Sequence, residues 1–320
     1  MRALAIAAVG AQAGIAVTGS VVRVTGSGLG CPDWPACFPG SLTPSPRYSV
    51  PLLHQWVEFG NRLLVGVVSV VALTCLLAAL ATRPRQRRVT ILAAAMPLGV
   101  LAQAVIGGMT VLLGLAWWTV SVHFLVSMLL VWLAVLLVRA SGEVTAPPGP
   151  VLPRPLRTLV TLCTVVLAAL LTAGMMVTAA GPHAGDLATP RLGIAMPTLV
   201  QLHANLLIVY LGLLSGLGFG LHAVHAPRSV LGRFRVLVVA VLAQGALGAT
   251  QYALGVPASL VSLHVLGACV VTIAAAALWA SVIERPGQPT NPRARPQNGQ
   301  PIIGRANTAS TAMTRNSPHR

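Results

Sequence analysis

Eight stretches of about 20 residues each are almost entirely apolar, and a helix needs roughly 20 such residues to cross the hydrocarbon core of a bilayer. They cover residues 3–22, 57–81, 90–115, 118–138, 158–180, 198–221, 236–255 and 260–283. Only 8% of the 320 residues are charged, against about 25% in a soluble domain. We therefore predict an all-α integral membrane protein with eight transmembrane helices. The first stretch is longer than the 7–15-residue core of a signal peptide, so we expect it to be retained as a helix.

All 21 basic residues are arginines, and five acids oppose them, which gives a net charge of +16. With the N-terminus inside, 17 arginines fall in inner segments, and only Arg23, Arg47, Arg62 and Arg191 fall outside. Because basic residues collect on the cytoplasmic side, we predict a multi-pass protein of the cell membrane with both termini cytoplasmic. The charge then reflects topology and contact with anionic lipid, and it does not indicate a nucleic-acid partner.

The second half of the chain repeats the first after a proline-rich linker at 141–156. Residues 101–123 (LAQAVIGGMTVLLGLAWWTVSVH) align without a gap with 242–264 (LAQGALGATQYALGVPASLVSLH), and nine of 23 positions are identical. A weaker match pairs Gly14 with Gly174. Four helices per half predict two tandem four-helix bundles, 1–141 and 142–283. Residues 284–320, rich in polar residues and proline, predict a disordered cytoplasmic tail.

Three of the eight histidines, His123, His203 and His264, lie about five residues into an even-numbered apolar run. Even-numbered helices start on the outer side, so all three are expected at one depth in the outer leaflet. A helix cap or an interhelical hydrogen bond is the competing interpretation for each. Ionisable groups inside a membrane are costly, and helix bundles hold cofactors through facing side chains. We predict that these histidines are axial ligands of haem iron.

The first outer loop contains the segment GSGLGCPDWPAC at residues 26–37. Its glycines do not follow a strand, so they do not form a dinucleotide-binding motif. Cys31 and Cys37 lie on the outer side, in an oxidising compartment, and we predict that they form a disulfide. Two free thiols or a reactive pair are the alternatives.

The start of the second run reads VEFGNR at residues 57–62, and Glu58 is the only acid inside any apolar run. Arg62 follows four residues later, on the same face of a helix. One interpretation is an ion pair that anchors the helix end. The other is that Arg62 meets a carboxylate such as a haem propionate, while Glu58 faces the reacting group.

The loop motif, the VEFGNR segment and the histidines of the fourth, sixth and eighth helices together resemble the haem A synthase family over nearly all of residues 1–283. The resemblance implies an enzyme that oxidises a methyl group of haem O to the formyl group of haem A. It implies a haem b on His203 and His264, and haem O as substrate beside His123 and Glu58. A haem O synthase and an aa-type terminal oxidase are the implied partners, and the electron donor is left open.

The chain departs from this family at Asn61, where the family usually has a histidine before the arginine. Either His123 is the only protein ligand of the substrate haem, or His54, two turns earlier, supplies the second. We favour the first, because His54 is expected to lie outside the second helix.

The function that we favour is oxidation of haem O by successive hydroxylations, after which the gem-diol loses water. The rival is a di-haem b-type electron carrier that oxidises quinol and leaves its haem unmodified. Asn61 argues against this rival, because stable electron transfer favours matched ligand pairs in both halves. A transporter that uses the crevice between the halves is a further rival, and it requires no haem.

Overall fold

The computed structural model describes residues 1–142, 152–186 and 188–283, and within these ranges it consists of eight α-helices joined by turns and loops. The helices are α1 (Arg2–Val24), α2 (Leu52–Ala81), α3 (Arg87–Leu112), α4 (Trp117–Ala140), α5 (Arg154–Ala180), α6 (Met196–Ala223), α7 (Arg228–Ala253) and α8 (Ala258–Ile283). All eight are long and apolar enough to cross a membrane. The predicted all-α membrane fold is confirmed, whereas the predicted tail at 284–320 lies outside the described residues.

The helices pack in sequential pairs, α1 with α2, α3 with α4, α5 with α6 and α7 with α8. Contacts of α1 with α4 and of α2 with α3 close the first set of four, whereas α5 touches α8 and α6 touches α7 more sparsely. Each half has its own hydrophobic core. This packing is consistent with two tandem four-helix bundles, 1–141 and 142–283.

Helices α4 and α8 lie at the centre of the described structure. Helix α8 contacts both α1 and α4, and a small buried cluster of Met128, Val131 and Cys269 packs between the two halves. Cys269 is a free, buried thiol among apolar side chains, as are Cys75 and Cys163. Of the three helices that carry the histidines, α4 and α8 therefore stand next to each other, whereas α6 packs mainly on α5.

Helix α2 begins at Leu52, five residues earlier than the apolar pattern predicts. Pro51 precedes it in an extended conformation, and the first turn includes Gln55, which is fully buried. The Gln55 side chain bonds the backbone of Ser45 and Val50 in the outer loop. The expectation that His54 lies outside the second helix is therefore wrong, because the hydrogen bonds of Gln55 to the outer loop hold one more helical turn before the apolar run.

Candidate functional site

Each of the three predicted ligand histidines packs its imidazole ring against a glycine of the preceding helix. The pairs are Gly107 with His123, Gly174 with His203 and Gly248 with His264, and a Cβ built on the glycine would lie 3.2, 3.1 and 3.0 Å from the ring Cε1 atom, respectively. Small residues allow helices in a membrane to approach closely. Here they form a flat floor for the ring, and this arrangement recurs in three of the four helix pairs.

The Nδ1 atoms of these histidines make no hydrogen bond that would hold neighbouring helices together, although the Leu170 carbonyl of α5 lies near enough to interact with His203. The Nδ1 atom of His123, of His203 and of His264 is buried and lacks a hydrogen bond of normal geometry to any described residue. His203 and His264 are close enough for a charge on one ring to act on the other. No hydrogen bond to a described residue occupies Nε2, the other ring nitrogen, of any of the three histidines, so Nε2 is free to bind iron. The residues present fit a haem better than they fit a helix cap or an interhelical hydrogen bond.

Two glutamines fix the turns that carry His123 and His264. The Gln103 side-chain amide donates to the carbonyl of His123 at 3.0 Å, and the Gln244 amide donates to the carbonyl of His264 at 2.8 Å. Each glutamine lies one helical turn before the glycine that supports the ring. The sequence repeat contains both glutamines in register, but this positioning role follows only from the packed helices.

In the helix pair α1–α2, the corresponding glycine is present, but no histidine ring packs against it. A Cβ built on Gly14 would meet no heavy atom within 4 Å, and Asn61 occupies the position that corresponds to His203. The Asn61 side chain is instead held by Thr18, whose hydroxyl donates to Oδ1 at 2.7 Å. In the first half, Gly107 therefore supports a histidine ring, and Gly14 does not.

The predicted disulfide between Cys31 and Cys37 is present, and both cysteines are fully buried. Glu58, which is 5% exposed, holds this loop from below. Its Oε2 accepts a hydrogen bond from the backbone N–H of Cys31 at 2.7 Å, and its Oε1 pairs with Arg62 at 2.6 Å. Both carboxylate oxygens of the one acid within the described helices therefore face protein donors.

Arg62 completes the attachment of the loop to α2. Its Nη1 donates to the carbonyls of Asp33 and Ala36 at 3.0 and 2.9 Å, and its Nη2 donates to the carbonyl of Cys31 at 2.6 Å and to Glu58. The predicted ion pair is present, and it anchors the disulfide loop as well as the helix end. The four terminal N–H groups are used in this way, which leaves Nε–H. Contact of Arg62 with a haem propionate stays a prediction.

The same loop covers the outer end of the first half. Trp34 packs so closely on Gly108 of α3 that a Cβ there would meet its ring at 2.5 Å. Gly108 is the neighbour of Gly107, which supports His123, so the loop and the histidine occupy adjacent positions on one helix. No local sequence pattern relates Trp34 to Gly108, and sequence analysis missed this contact.

His54 has a partner in the outer loop. Its Nδ1 lies 2.9 Å from the hydroxyl of Ser27, and the residue lines a cavity of about 560 Å³ between the outer loops, together with Arg23, His183 and Arg191. Seven residues separate it from Asn61, which is roughly 10 Å along a helix axis. The structure thus places His54 in the loop layer, and the Arg23 guanidinium crosses this layer to the carbonyl of His183 at 2.7 Å.

Comparison with known proteins agrees with this architecture. Residues 2–276 match the model of a family described as cytochrome oxidase assembly protein. A segment of 54 residues is 39% identical to "Heme A synthase" of Lysinibacillus sphaericus (strain C3-41), covering 17% of this chain and 16% of that protein. Another match of 54 residues, 37% identical, covers 17% of this chain and 15% of "Heme A synthase" of Geobacillus thermodenitrificans. These matches span only about one sixth of the relatives. The family model, by contrast, covers most of the chain, and the chain belongs to the cytochrome oxidase assembly protein family.

Proposed function

We propose that this protein is a haem A synthase, which oxidises a methyl group of haem O to the formyl group of haem A. The observation that carries the proposal is the set of three half-buried histidines, each with its ring resting on a glycine and with a buried Nδ1 that lacks a hydrogen bond. One buried carboxylate, Glu58, accompanies them. Membership of the family and the names of the relatives support the same activity.

The reaction consists of two hydroxylations and one dehydration. In each hydroxylation, dioxygen, two electrons and two protons convert a C–H bond into C–OH and release one water molecule. The second hydroxylation gives a gem-diol, which loses water to leave the aldehyde. In our proposal His203 and His264 hold a haem b, which supplies the electrons one at a time when it is bound.

The residues of the first half bind and enclose the substrate. In this proposal His123 binds haem O, and the disulfide loop with Trp34 excludes water from the outer end of the bundle. Arg62 would meet a propionate of haem O through its Nε–H, which makes no hydrogen bond to a described residue. The loop, Arg62 and His123 would thereby fix one orientation of the porphyrin.

Glu58 would move the proton that the last step requires. It precedes Asn61 by three residues, so the two side chains lie on one face of α2, about one turn apart. The carboxylate would accept a proton from one hydroxyl of the gem-diol while the carbonyl bond forms. It would return that proton to the departing hydroxyl, which leaves as water. A positioned acid–base group of this kind contributes about 10²–10⁴-fold to rate.

We place the haem sites on the outer side of the cell membrane, with both termini cytoplasmic, as the arginine distribution indicates. In this arrangement a haem O synthase supplies the substrate and an aa-type terminal oxidase receives the product.

The test of this proposal is a cell that makes haem O but has no haem A synthase of its own. With this chain expressed, we expect extracted haem A, identified by mass, together with any hydroxylated intermediate. A di-haem electron carrier would leave the haem O unchanged. A transporter would, in addition, purify without the absorption spectrum of haem.

His54→Ala is expected to leave haem A production unchanged, because the ring contacts Ser27 in the loop layer. The measurement is haem A per molecule of chain in the same cells. His123→Ala, which removes the proposed ligand, serves as the comparison and is expected to abolish production. A loss of product in His54→Ala at a normal protein level would assign the second iron ligand to His54.

A further inference from the structure

The structure contains four equivalent glycine positions but only three histidine rings. In the pairs α3–α4, α5–α6 and α7–α8, the glycine meets an imidazole at 3.0–3.2 Å from a built Cβ. In the pair α1–α2, the corresponding Gly14 faces open space. The first half therefore has room for a second ring at the level of His123 and no ring that fills it.

Asn61 does not replace the missing ring. Its side chain reaches Thr18, which lies one turn from Gly14, and Oδ1 accepts the Thr18 hydroxyl at 2.7 Å. No described residue accepts a hydrogen bond from the amide nitrogen of Asn61. A neutral amide oxygen that is already hydrogen-bonded is a poor ligand for haem iron, whereas a free amide N–H is a good donor to a small polar molecule.

We infer that the first half of this protein holds its haem through His123 alone and leaves the other side of the iron open to a small diatomic ligand, next to the amide N–H of Asn61. The inference rests on the proposed function, which places the substrate haem beside His123. The second half differs, because His203 and His264 occupy both of its equivalent positions. In this inference the haem of the first half binds the small ligand, and the haem of the second half transfers electrons.

Carbon monoxide is the probe that distinguishes the two halves. The full chain is purified with both haems, haem O being supplied for the first half, and reduced without oxygen. We expect carbon monoxide to bind one of the two haems, and a high-spin signal from that haem before it is added. Asn61→His is expected to lower the affinity for carbon monoxide at least tenfold and to convert the high-spin signal to a low-spin one, because Gly14 leaves space for the new ring.

Two further variants keep the inference testable if Asn61→His does not fold. His203→Asn is the reciprocal change. With haem b added in excess, so that the weakened one-histidine site is filled, it is expected to open the second half and raise bound carbon monoxide from one to two molecules per chain. Asn61→Val keeps the first half open but removes the donor. It should still bind carbon monoxide, with a shifted C–O stretching frequency.

The haem content separates failure of this inference from failure of the proposed function. If the first-half haem is present and does not bind carbon monoxide, or if Asn61→His binds it as the wild type does, the inference is overturned and the proposed function stands. If the chain carries only the haem that depends on His203 and His264, even with haem O supplied, both are overturned.

Discussion

Glu58→Gln is expected to lower haem A formation by at least about 100-fold, the lower range for loss of a positioned acid–base group. Glutamine has nearly the shape of glutamate but cannot carry a proton between the hydroxyls of the gem-diol. Cells that express this variant should accumulate the doubly hydroxylated haem in place of haem A, because the two hydroxylations do not need Glu58 in this proposal. The measurement is the amount of each haem, separated by mass, per molecule of chain.

Glu58 also holds the disulfide loop, so its structural effect must be measured separately. An amide at position 58 would place an NH₂ group against either Arg62 or the N–H of Cys31, and this would weaken the attachment of the loop. Glu58→Asp keeps the carboxylate but shortens the side chain, which loosens the same contacts. A proton-transfer role predicts that Asp restores at least a tenth of the activity and Gln does not. Equal losses in both variants, with equal protease sensitivity of the loop, would reduce Glu58 to a structural anchor.

His264→Ala is expected to remove the second-half haem and with it nearly all formation of haem A. The ring lies on Gly248 close to His203, and one histidine alone gives a weaker, five-coordinate site. We expect about one haem fewer per chain and loss of the low-spin absorption bands, while haem O still binds the first half. The readouts are the pyridine haemochrome assay, the reduced spectrum and the mass of the extracted haem.

His222→Ala is the matched control, because it removes a histidine from the last turn of α6, at the end of that helix away from His203. His222 is exposed and its ring contacts only the carbonyl of Gly218, at 3.3 Å, among the described residues. This variant should retain both haems and full production. Retention of the low-spin bands in His264→Ala would contradict the assignment of the second-half ligands.

The apolar runs and the histidines were predictable from the sequence for a simple reason. A bilayer requires a fixed length of apolar helix. Because successive helices run in opposite directions, residues at the same distance from the outer end of each helix lie at the same depth. His123, His203 and His264 could be aligned in this way without knowledge of any contact. The Cys31–Cys37 disulfide was predictable because the arginine distribution indicates that this loop lies in an oxidising compartment.

The contacts between elements were not predictable from local patterns. Gly107 and Gly248 stood out in the repeat, but their role depends on the rotation of α3 against α4 and of α7 against α8. Likewise, the hydrogen bonds from Arg62 to the loop carbonyls depend on how the loop folds, and the spacing of residues in the sequence does not predict that fold. The early start of α2 was missed because hydrophobic periodicity does not reveal that the Gln55 side chain is held by the backbone of the outer loop.

The most direct test of the central claim uses the purified chain with haem O, dioxygen and a chemical reductant. We predict that the extracted pigment gains one oxygen atom and loses two hydrogens at a single methyl group, and that Glu58→Gln, loaded with the same haems, does not give this product. Recovery of unchanged haem O from the wild-type chain, with both haems bound and reduced, would contradict the claim and favour an electron carrier.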